Sequence, residues 1–505
     1  PAPAALSTLE SRYFPPAGGA DAAPLSRLGS ITPLIDGVTY FAAIKTEIDQ
    51  LRAGDIWYLT AWWLDPGFRF APGGPTLLQL LAAKAAAGVD VRVILWANRN
   101  LLAFPRLVTM LNLGGYLTVS QGNVAAAEAL RGAPGPAGGT PLAGRVLLDW
   151  SGHVASSHHM KLTVLSRPGS LTAFGGGIDY RQDRLDGPPH ATLFRRRDGT
   201  VFRWGWHDAG IRVTGDHAQR VLDTFTTRWQ EAVTLSPAAY DIGAGSRPFN
   251  PPPAVALATP AFTAAGPPST DTSAQVIRSI PDVKQADPTP FTRDVPWSIW
   301  PAGGVHEVRR TLLTALAAAQ RYIYVEDQAF DATGTLFPAL VAACQRGVRV
   351  IAVVPGSLDP NDGTVGPANG TLSSAVTSGL LAHLTPAQRQ NLAVWRLDGI
   401  TVHSKLILID DEFLADGSAN FMDRSMQFTG MQGDDSELSV AAVSTGSLVS
   451  DLRVQLWAEH LQAAGPAALA EIRDLTKSLG FWRPGWGSGV TFAHPASALV
   501  FVGPP

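Results

Sequence analysis

The sequence predicts an α/β fold made of two similar α/β sandwich halves, with mixed or parallel sheets, packed as a pseudo-twofold dimer within one chain. Segments typical of strands alternate with segments typical of helices. The same segments recur in the same order in the second half of the chain. A chain of 505 residues, of which 46% are hydrophobic, is also long enough for more than one core.

The first repeated unit is a strand, an alanine-rich helix and a second strand. β-branched and aromatic residues predict the strands, and a glycine predicts each helix end because glycine readily adopts the left-handed conformation. The predicted strand, helix and strand cover residues 56–60, 76–87 and 89–95 in the first half, and residues 322–326, 336–346 and 348–354 in the second. Gly88 and Gly347 stand at the two matching helix ends.

The later elements match as well. A strand that begins at a lysine is followed by a glycine-rich strand end, and an acidic residue then opens another strand before a long helix. These elements cover residues 161–165, 174–177, 208–213 and a helix to 229 in the first half, and residues 405–409, 415–418, 437–443 and a helix to 457 in the second. Six corresponding elements in one order indicate a duplicated unit.

The duplication predicts two domains, residues 1–235 and 297–505. Residues 236–296 are rich in proline and alanine and show little periodicity, so they are predicted to form a long linker across the surface. Residues 133–144 are predicted to form a similar Pro/Gly loop within the first half.

Composition excludes several classes of protein. The net charge of −3 gives no sign of a basic face, so no nucleic acid partner is expected. No apolar stretch approaches the ~20 residues that span a bilayer, and residues 1–4 do not resemble a signal peptide, so a soluble protein, secreted or cytoplasmic, is expected. The single cysteine, Cys344, excludes an internal disulfide and is predicted to be a small buried hydrophobe.

Each half places a histidine two residues before a lysine at the start of an apolar strand. The pairs are His159 with Lys161 and His403 with Lys405. Side chains at i and i+2 of a strand face the same side. Two halves related by a pseudo-twofold axis are therefore predicted to bring both pairs to one cleft. Because such a chain completes its own site, a monomer is expected.

Two imidazoles and two ammonium groups suit a phosphodiester. The lysines can neutralise non-bridging oxygens, one neutral histidine can attack phosphorus, and the other can protonate the leaving alkoxide. The first step then yields a phosphohistidine, which water activated by the second histidine hydrolyses. No metal or other cofactor is required for this chemistry.

Further polar residues are predicted to assist the two pairs. Asp208 and Glu437 open equivalent strands, and we expect Asp208 to orient His159 and Glu437 to orient His403, as in catalytic triads. Asn420 is predicted to donate an amide N–H to phosphate. Ser418 and Gly177, at the matching glycine-rich strand ends, are predicted to contact the substrate as well. The predicted site residues are His159, Lys161, His403, Lys405, Asp208, Glu437, Asn420, Ser418 and Gly177.

Both motifs resemble those of the phospholipase D superfamily. The second motif comprises residues 403–405, 410, 417–420 and 423–425, and the first comprises residues 158–161 and 176–179. Residues 62–66, 206–208 and 322–328 are similar to segments of the large, eukaryotic-type phospholipases D. The resemblance covers most of the chain.

The resemblance implies hydrolysis of the head-group phosphodiester of a glycerophospholipid, such as phosphatidylcholine, to phosphatidic acid. The substrate would lie at a membrane or micelle surface, and transfer of the phosphatidyl group to an alcohol would also be expected. The resemblance further implies that His159 is the nucleophile and His403 the acid and base. The family has aspartate where this chain has Ser166, whereas Asp410 fills the matching place in the second half. In the family this residue supports the loop beneath the motif, so Asp410 and Ser166 are expected to be structural.

Alternative functions and sites remain open. The chain could be a nuclease of the same superfamily, a cardiolipin-synthase-like transferase, or a non-catalytic scaffold that binds lipid or phosphate, which Ser166 keeps in view. His158 and His159 could instead form a metal site.

Several aromatic and basic residues offer contacts to lipid. Phe481, Trp482 and Trp486 could form a membrane anchor, although such aromatic residues more often cap a core. Trp204 and Trp206 could line a head-group pocket, and the basic run 194–198 could contact anionic lipid.

Overall fold

The computed structural model describes residues 2–19, 21–98, 101–102, 114–150, 156–190, 193–195, 201–203, 205–234, 239–241, 246–248, 250, 257–258, 266–281, 303–329, 334–355, 379–397, 400–426, 434–482 and 499–501. The strands, in chain order, are β1 (Leu25–Ser26), β2 (Ile31–Ile35), β3 (Ile56–Ala61), β4 (Asp90–Trp96), β5 (Val146–Asp149), β6 (Leu162–Arg167), β7 (Ser170–Gly176), β8 (Leu193–Arg195), β9 (Val201–Arg203), β10 (Gly205–His207), β11 (Ala209–Thr214), β12 (Ala239–Asp241), β13 (Ser246–Pro248), β14 (Thr272–Ile280), β15 (Val305–His306), β16 (Tyr322–Asp327), β17 (Arg349–Pro355), β18 (Leu392–Leu397), β19 (Ile400–Val402), β20 (Lys405–Ile409), β21 (Phe413–Gly417), β22 (Glu437–Ser444) and β23 (Leu499–Phe501). The α-helices are α1 (Ala2–Tyr13), α2 (Asp36–Asp49), α3 (Leu77–Ala86), α4 (Gly114–Arg131), α5 (Gly215–Thr234), α6 (Glu307–Ala318), α7 (Phe337–Gln345), α8 (Pro386–Arg389), α9 (Asp423–Met426), α10 (Leu448–His460), α11 (Pro466–Arg473) and α12 (Leu475–Phe481).

Two large mixed sheets contain most of the described strands. The first has the order β2-β11-β7-β6-β3-β4-β5, and the second has the order β1-β14-β22-β21-β20-β16-β17-β18-β23. In each sheet three neighbouring parallel strands, β3-β4-β5 and β16-β17-β18, adjoin a run of antiparallel strands. Strands β3, β6, β7 and β11 therefore correspond to β16, β20, β21 and β22. The predicted α/β fold is confirmed, and both sheets share one strand order.

The inner faces of the two sheets contribute to one hydrophobic cluster. This cluster contains Leu162 from the first sheet and Leu438 from the second. Helix α5 enters the same cluster, where Phe225 stacks on Tyr58 with ring centroids 4.9 Å apart. Helices α2, α3 and α4 cover the outer face of the first sheet, and α1, α6 and α7 cover that of the second. Because the sheets face each other, the strand ends that carry the two motifs can meet.

The predicted helix ends lie where glycine permits a left-handed turn. Gly88 after α3 has φ of 90°, and Gly347 after α7 has φ of 92°. Helix α3 begins at Thr76, whose side chain accepts a hydrogen bond from the Gln79 backbone in a capping box. Local sequence signals therefore locate these elements to within one or two residues.

Strand β14 lies inside the segment predicted to be a linker. It pairs with β22 along residues 272–279 and extends the second sheet. Its residues Ala274, Val276 and Ile277 are buried. Most of the remaining predicted linker lies outside the described residues. This part of the chain is therefore a sheet strand rather than a surface connection.

Helix α1 packs against the second sheet although it belongs to the predicted first half. Leu6 and Leu9 join Leu312 of α6 in the outer cluster of the second sheet. The Tyr13 hydroxyl donates to Glu412 Oε2 at 2.8 Å and to Asp410 Oδ2 at 3.1 Å. Helix α1 therefore packs with the second half of the chain, although it lies within the predicted first domain, residues 1–235.

Phe481 and Trp482 lie in the core, which is the more common position of such aromatic residues, and not in a membrane anchor. Trp482 is fully buried, and its ring lies 5.5 Å from that of Trp457 and 5.8 Å from that of Trp395. Phe481 is buried as well, and Trp486 lies outside the described residues. These aromatic rings fill the core because α12 packs its apolar face inward. Cys344 is buried, as predicted.

The described helices offer no candidate for a bilayer-spanning segment, since each is too short or too polar for that role. Trp204 and residues 196–198 of the predicted basic contact lie outside the described residues.

Replacement of Leu6 by alanine tests the attachment of α1 to the second sheet. Leu6 is fully buried, so Leu6→Ala should destabilise the chain by about 2–5 kcal/mol through the lost contacts and the cavity. The midpoint of chemical denaturation, followed by tryptophan fluorescence, measures this loss. Leu469→Ala is the control, because Leu469 is 40% exposed and its truncation should change stability little. Equal effects of both substitutions would contradict the packing of α1.

Candidate active site

The two His-x-Lys motifs lie at equivalent strand starts, immediately before β6 and at the start of β20. All four motif side chains are buried, with exposed fractions of 8%, 2%, 6% and 4% for His159, Lys161, His403 and Lys405. Lys161 Nζ donates to the carbonyl oxygen of His159 at 2.8 Å, and Lys405 donates to that of His403. Each ammonium group is therefore held beside its own histidine, as the i, i+2 spacing predicts.

The histidine–carboxylate pairs cross between the halves, which corrects the predicted pairing. His403 Nδ1 lies 2.7 Å from Asp208 Oδ2. His159 Nδ1 lies 3.1 Å from Glu437 Oε2 and 3.0 Å from the carbonyl oxygen of Ser418. Asp208 does not orient His159, and Glu437 does not orient His403. Each half thus supplies the acid that holds the histidine of the other.

The backbone explains why the pairs cross. Strand β10, which ends just before Asp208, pairs in parallel with β19, which ends just before His403. The N–H of His403 donates to the carbonyl of His207 at 2.7 Å. In the equivalent contact on the other side of the site, the N–H of His159 donates to the carbonyl of Ser436 at 3.0 Å. Each catalytic histidine is therefore paired with the segment that leads into the opposite carboxylate.

Hydroxyl groups hold Glu437 in place. Ser418 Oγ donates to Glu437 Oε2 at 2.5 Å, and Ser425 Oγ donates to Oε1 at 2.7 Å. Ser418 was predicted to contact the substrate, but its hydroxyl is used by Glu437 and its carbonyl faces His159. Ser418 is therefore a positioning residue for the His159–Glu437 pair.

Gly177 occupies the equivalent position beside the other pair. A Cβ atom at this residue would lie 2.5 Å from Asp208 Oδ1 and 3.2 Å from His403 Nδ1. The N–H of Gly177 donates to the carbonyl of Ala209 at 3.3 Å. Gly177 therefore makes room for the Asp208–His403 pair, and its N–H is already used, which does not match the predicted substrate contact.

Asn420 lies at the end of the second motif and is 8% exposed. Its backbone N–H donates to Ser425 Oγ at 3.2 Å, whereas its side-chain Oδ1 is buried without a hydrogen-bond partner. This oxygen is an acceptor and does not itself bind phosphate, so donation of the side-chain N–H to phosphate stays a prediction.

Asp410 and Ser166 occupy matching positions but support the adjacent strand differently. Asp410 accepts hydrogen bonds from the backbone N–H groups of Gln320, Arg321 and Tyr322 at 2.8–2.9 Å, at the start of β16. Ser166 occupies the matching place in β6, opposite Ile56 at the start of β3. A serine cannot span three N–H groups, so the first half lacks this support at the equivalent strand.

Desolvation shifts the pKa values of the basic groups. Burial lowers the pKa of His159 and His403 well below the ordinary value, and the lysine of each motif lowers it further. Burial also lowers the pKa of Lys161, and it lowers that of Lys405 to about 8 against the opposing effect of nearby carboxylates. Both imidazoles are therefore neutral near pH 7 before an anion binds.

The two motifs also act on each other electrostatically. After burial and Lys405, the pKa of His403 is lowered by charges that include Lys161 and His159 of the other half. Burial raises the pKa of Glu437 to about 7 and also raises that of Asp208. The two motifs therefore form one composite site rather than two separate ones.

One tryptophan stands beside each histidine. The ring of Trp62 lies edge-on to His159 at 5.5 Å, and Lys161 Nζ lies 5.3 Å from the same ring. Trp206 lies 5.1 Å from His403 and is buried, and Arg184 covers its face at 3.2 Å. Trp206 is therefore not free to bind a cationic head group, and the predicted pocket role is wrong for it.

Several positioning residues were not predicted. His158 contacts Ser436 Oγ at 2.8 Å and Asp149 Oδ1 at 3.1 Å, so it joins the halves and faces away from a shared site with His159. Asp435 accepts from the backbone N–H and the hydroxyl of Ser157 at 2.7 and 2.8 Å. The position of Asp435 and Ser436 directly before Glu437 was the available signal, because this segment mirrors Trp206 and His207 before Asp208.

Comparisons with known proteins agree with this geometry. A family model described as "Cardiolipin synthase, PLD-like domain" matches residues 312–445. The chain is 24% identical to phospholipase D alpha 2 of Oryza sativa subsp. japonica over 80% of its length and 61% of that protein. It is 23% identical to phospholipase D A of Dictyostelium discoideum over 86% of its length and 35% of that protein. The chain therefore spans less than two thirds of these curated relatives.

A solved structure has the same fold over nearly the whole chain. The phosphatidylserine synthase of Haemophilus influenzae Rd KW20 superposes with a TM-score of 0.52 at 12% identity, covering 94% of this chain and 98% of that one. At this identity the likeness concerns the fold alone.

A methyl group at Gly177 tests the crossed Asp208–His403 pair. Gly177→Ala should push Asp208 away from His403 and lower the turnover of bis(p-nitrophenyl) phosphate by about 100-fold, because small displacements of catalytic groups are costly. Turnover and thermal midpoint should be measured together. Gly480→Ala, where a Cβ meets no atom within 4 Å, is the control and should keep full turnover. An unchanged rate in Gly177→Ala would contradict the pairing.

The lowered pKa of Lys405 predicts a pH-dependent affinity for oxyanions. Because this lysine loses its charge as pH rises through about 8, tungstate should bind the free protein more weakly above pH 8 than below it. Calorimetric titration on both sides of pH 8 measures the change. In Lys405→Arg the guanidinium stays charged, so the affinity should vary less with pH. The same dependence in both proteins would assign the titration to another group.

Proposed function

We propose that this chain, which belongs to the phospholipase D superfamily, is a phosphodiesterase that hydrolyses the head-group ester of a glycerophospholipid to phosphatidic acid through a phosphohistidine. The observation that carries the proposal is the crossed pair of histidine–carboxylate contacts, each of which lies beside a buried lysine. Such a site offers a nucleophile, an acid and two cations to one phosphate group, and it needs both halves of the chain.

His159 is the better candidate for the nucleophile. Its Nδ1 can donate a proton to the neutral carbonyl of Ser418 at 3.0 Å, which fixes the tautomer with a lone pair on Nε2. Burial keeps the pKa of this imidazole low, so the lone pair is available near neutral pH. His159 Nε2 then attacks phosphorus, a P–N bond forms, and the P–O bond to the head group breaks.

His403 is the better candidate for the acid and base. Its contact with Asp208 is 2.7 Å, shorter than the 3.1 Å contact of His159 with Glu437, and so stabilises an imidazolium more strongly. The protonated His403 gives its proton to the leaving head-group oxygen. In the second step it takes a proton from water, the resulting hydroxide attacks phosphorus, and the P–N bond breaks to release phosphatidic acid.

Substrate binding raises the pKa of His403, which then takes up a proton from the solvent. In the free protein Lys405 and other nearby positive charges, together with burial, keep the pKa of His403 low. A bound phosphodiester carries a negative charge that offsets these lysines. The pKa of His403 therefore rises when the substrate binds, so that the imidazolium is present when the head-group oxygen leaves. The lysines then neutralise the oxygens of the transition state.

The choice of a lipid substrate rests on the relatives and on charge. The curated relatives named above are phospholipases D. The chain has a net charge of −3, which does not favour the nucleic acid backbone bound by a nuclease. A phosphatidyl-histidine intermediate can react with an alcohol as well as with water, so head-group exchange belongs to the same proposal.

Incubation with mixed phospholipid vesicles and a short alcohol tests the reaction. We expect phosphatidic acid together with the phosphatidyl alcohol, and we expect release of the head group to fall by at least about 1,000-fold in His159→Ala, because the nucleophile is lost. Mass spectrometry of the lipids measures both products. Lys45→Ala serves as the control, since Lys45 lies on the surface of α2 and pairs with Asp49 of the same helix.

The alternatives give different outcomes in the same assay. Nicking of supercoiled plasmid without release of a head group would indicate a nuclease. Binding of lipid without any product, and without a covalent phosphohistidine after acid-free denaturation, would indicate a scaffold.

A further inference from the structure

A second cluster of buried ionisable residues lies behind the His403–Asp208 pair. It consists of Asp36 at the start of α2, His190, His207 at the end of β10, and Glu459 in α10. The side chains of the first three are at most 6% exposed, and that of Glu459 is 16% exposed. None of these four residues has a part in the phosphodiester chemistry described above.

The polar atoms of this cluster converge on a point between them. His207 Nδ1 lies 3.1 Å from Asp36 Oδ1 and 3.1 Å from Glu459 Oε1. His190 Nε2 lies 3.0 Å from Glu459 Oε1 and 3.6 Å from Asp36 Oδ2. Ligand atoms placed about 2.0–2.2 Å from a tetrahedral metal ion stand about 3.3–3.6 Å apart, a spacing close to the observed one.

Two of these atoms lack a hydrogen bond despite complete burial. Among the described residues, His207 Nδ1 and Asp36 Oδ2 have no hydrogen-bond partner of suitable geometry, although carboxylate oxygens lie close to the first and His190 Nε2 lies close to the second. His207 is 0% exposed and Asp36 is 1% exposed, so water does not replace the missing partners at the surface. A buried nitrogen that points between two carboxylates, rather than at either, is the arrangement of a ligand atom.

Both histidines are fixed from behind by carboxylates. The second nitrogen of His207, Nε2, lies 3.0 Å from Glu326 Oε2, and that of His190, Nδ1, lies 3.3 Å from Asp186 Oδ2. Histidines that bind a metal usually donate their other N–H in this way, which sets the tautomer and the ring orientation. The inner nitrogen of each ring is then left with a lone pair.

The backbone of two cluster residues is strained. Asp36 has φ of 65° and His190 has φ of 53°, although neither residue is a glycine. Left-handed conformations of this kind cost energy and are typical of functional positions. Asp36 is held there by the hydrogen bond from its N–H to the carbonyl of Asp208, 2.8 Å long.

We propose that Asp36, His190, His207 and Glu459 bind one divalent transition-metal ion, with zinc as the best match to two imidazoles and two carboxylates. Calcium and magnesium prefer sets made of oxygen alone. Glu459 comes from the second half and the other three ligands come from the first, so the ion joins the halves. It lies beside the peptide that links His207 to Asp208, and it positions this carboxylate without touching the phosphate.

The competing arrangement has no metal ion, and the protonated histidines form ion pairs with the carboxylates. Burial alone would lower the pKa of His190, but its contacts with Asp186 and Glu459 raise it to about 9. In that case both nitrogens of each ring carry protons, and a metal ion is excluded. The two arrangements differ in what the full chain binds, so a titration decides between them without any lipid or turnover.

Cobalt titration of the full chain, after dialysis against a chelator, tests the site. We expect one equivalent of Co²⁺ to bind with visible absorption bands, and Zn²⁺ to displace it. Proton NMR of the Co²⁺ form should show two shifted, exchangeable imidazole N–H signals, from His207 Nε2 and His190 Nδ1. The absence of bound Co²⁺, or of shifted N–H signals, would overturn the proposal in favour of protons.

Conservative variants assign the ligands. Asp36→Asn keeps the strained turn, since asparagine tolerates the left-handed conformation, and His190→Gln removes one imidazole. Both should weaken Co²⁺ binding by at least about 100-fold, and Asp186→Asn by about 10–100-fold. His217→Gln, at a buried histidine of α5 outside the cluster, should bind as the unchanged protein does. Equal affinity in all four proteins would overturn the assignment. If a variant does not fold, the two N–H signals of the unchanged protein decide alone.

Discussion

The exchange of carboxylates between the two halves is the constraint on which the site depends. Asp208 reaches His403 and Glu437 reaches His159 because short parallel backbone pairings hold the segments of opposite halves side by side. Neither sheet can therefore assemble a working histidine alone. The inner hydrophobic cluster, to which both sheets contribute, brings the strand ends together, and the crossed hydrogen bonds fix them. The contacts that join the two halves therefore also bury and orient the catalytic histidines.

The order of strands and helices along the chain and the two His-x-Lys motifs followed from the sequence, because they depend on local periodicity and on a duplicated pattern. The partners of the histidines did not follow, since a duplicated sequence gives the same correspondence whether the contacts lie within a half or between halves. Ser418 and Gly177 illustrate the same limit. Both were assigned to the substrate, but each serves a histidine–carboxylate pair, one through a hydroxyl and the other through the absence of a side chain.

Other elements escaped prediction for different physical reasons. Strand β14 carries polar and apolar residues in a segment dominated by prolines, so composition concealed it, and its pairing with β22 spans a long stretch of sequence. The composition around Trp482 fits both an interfacial anchor and a core position, and tertiary packing decides for the core. The cluster of Asp36, His190, His207 and Glu459 draws on four separate segments, which no spacing rule connects.

Helix α1 has a consequence for the order in which the chain folds during synthesis. The hydroxyl of Tyr13 is bonded to Asp410, a residue 397 positions later. A ribosome that adds about 5–20 residues per second needs on the order of 20–80 s to deliver that partner. Until Leu312 of α6 and the second sheet have been made, the apolar face of the helix, with Leu6 and Leu9, lacks its native partners. The nascent chain therefore exposes an apolar segment while it is being synthesised. We expect the yield of folded protein in cells to depend on chaperones that bind this segment until its partners have been made.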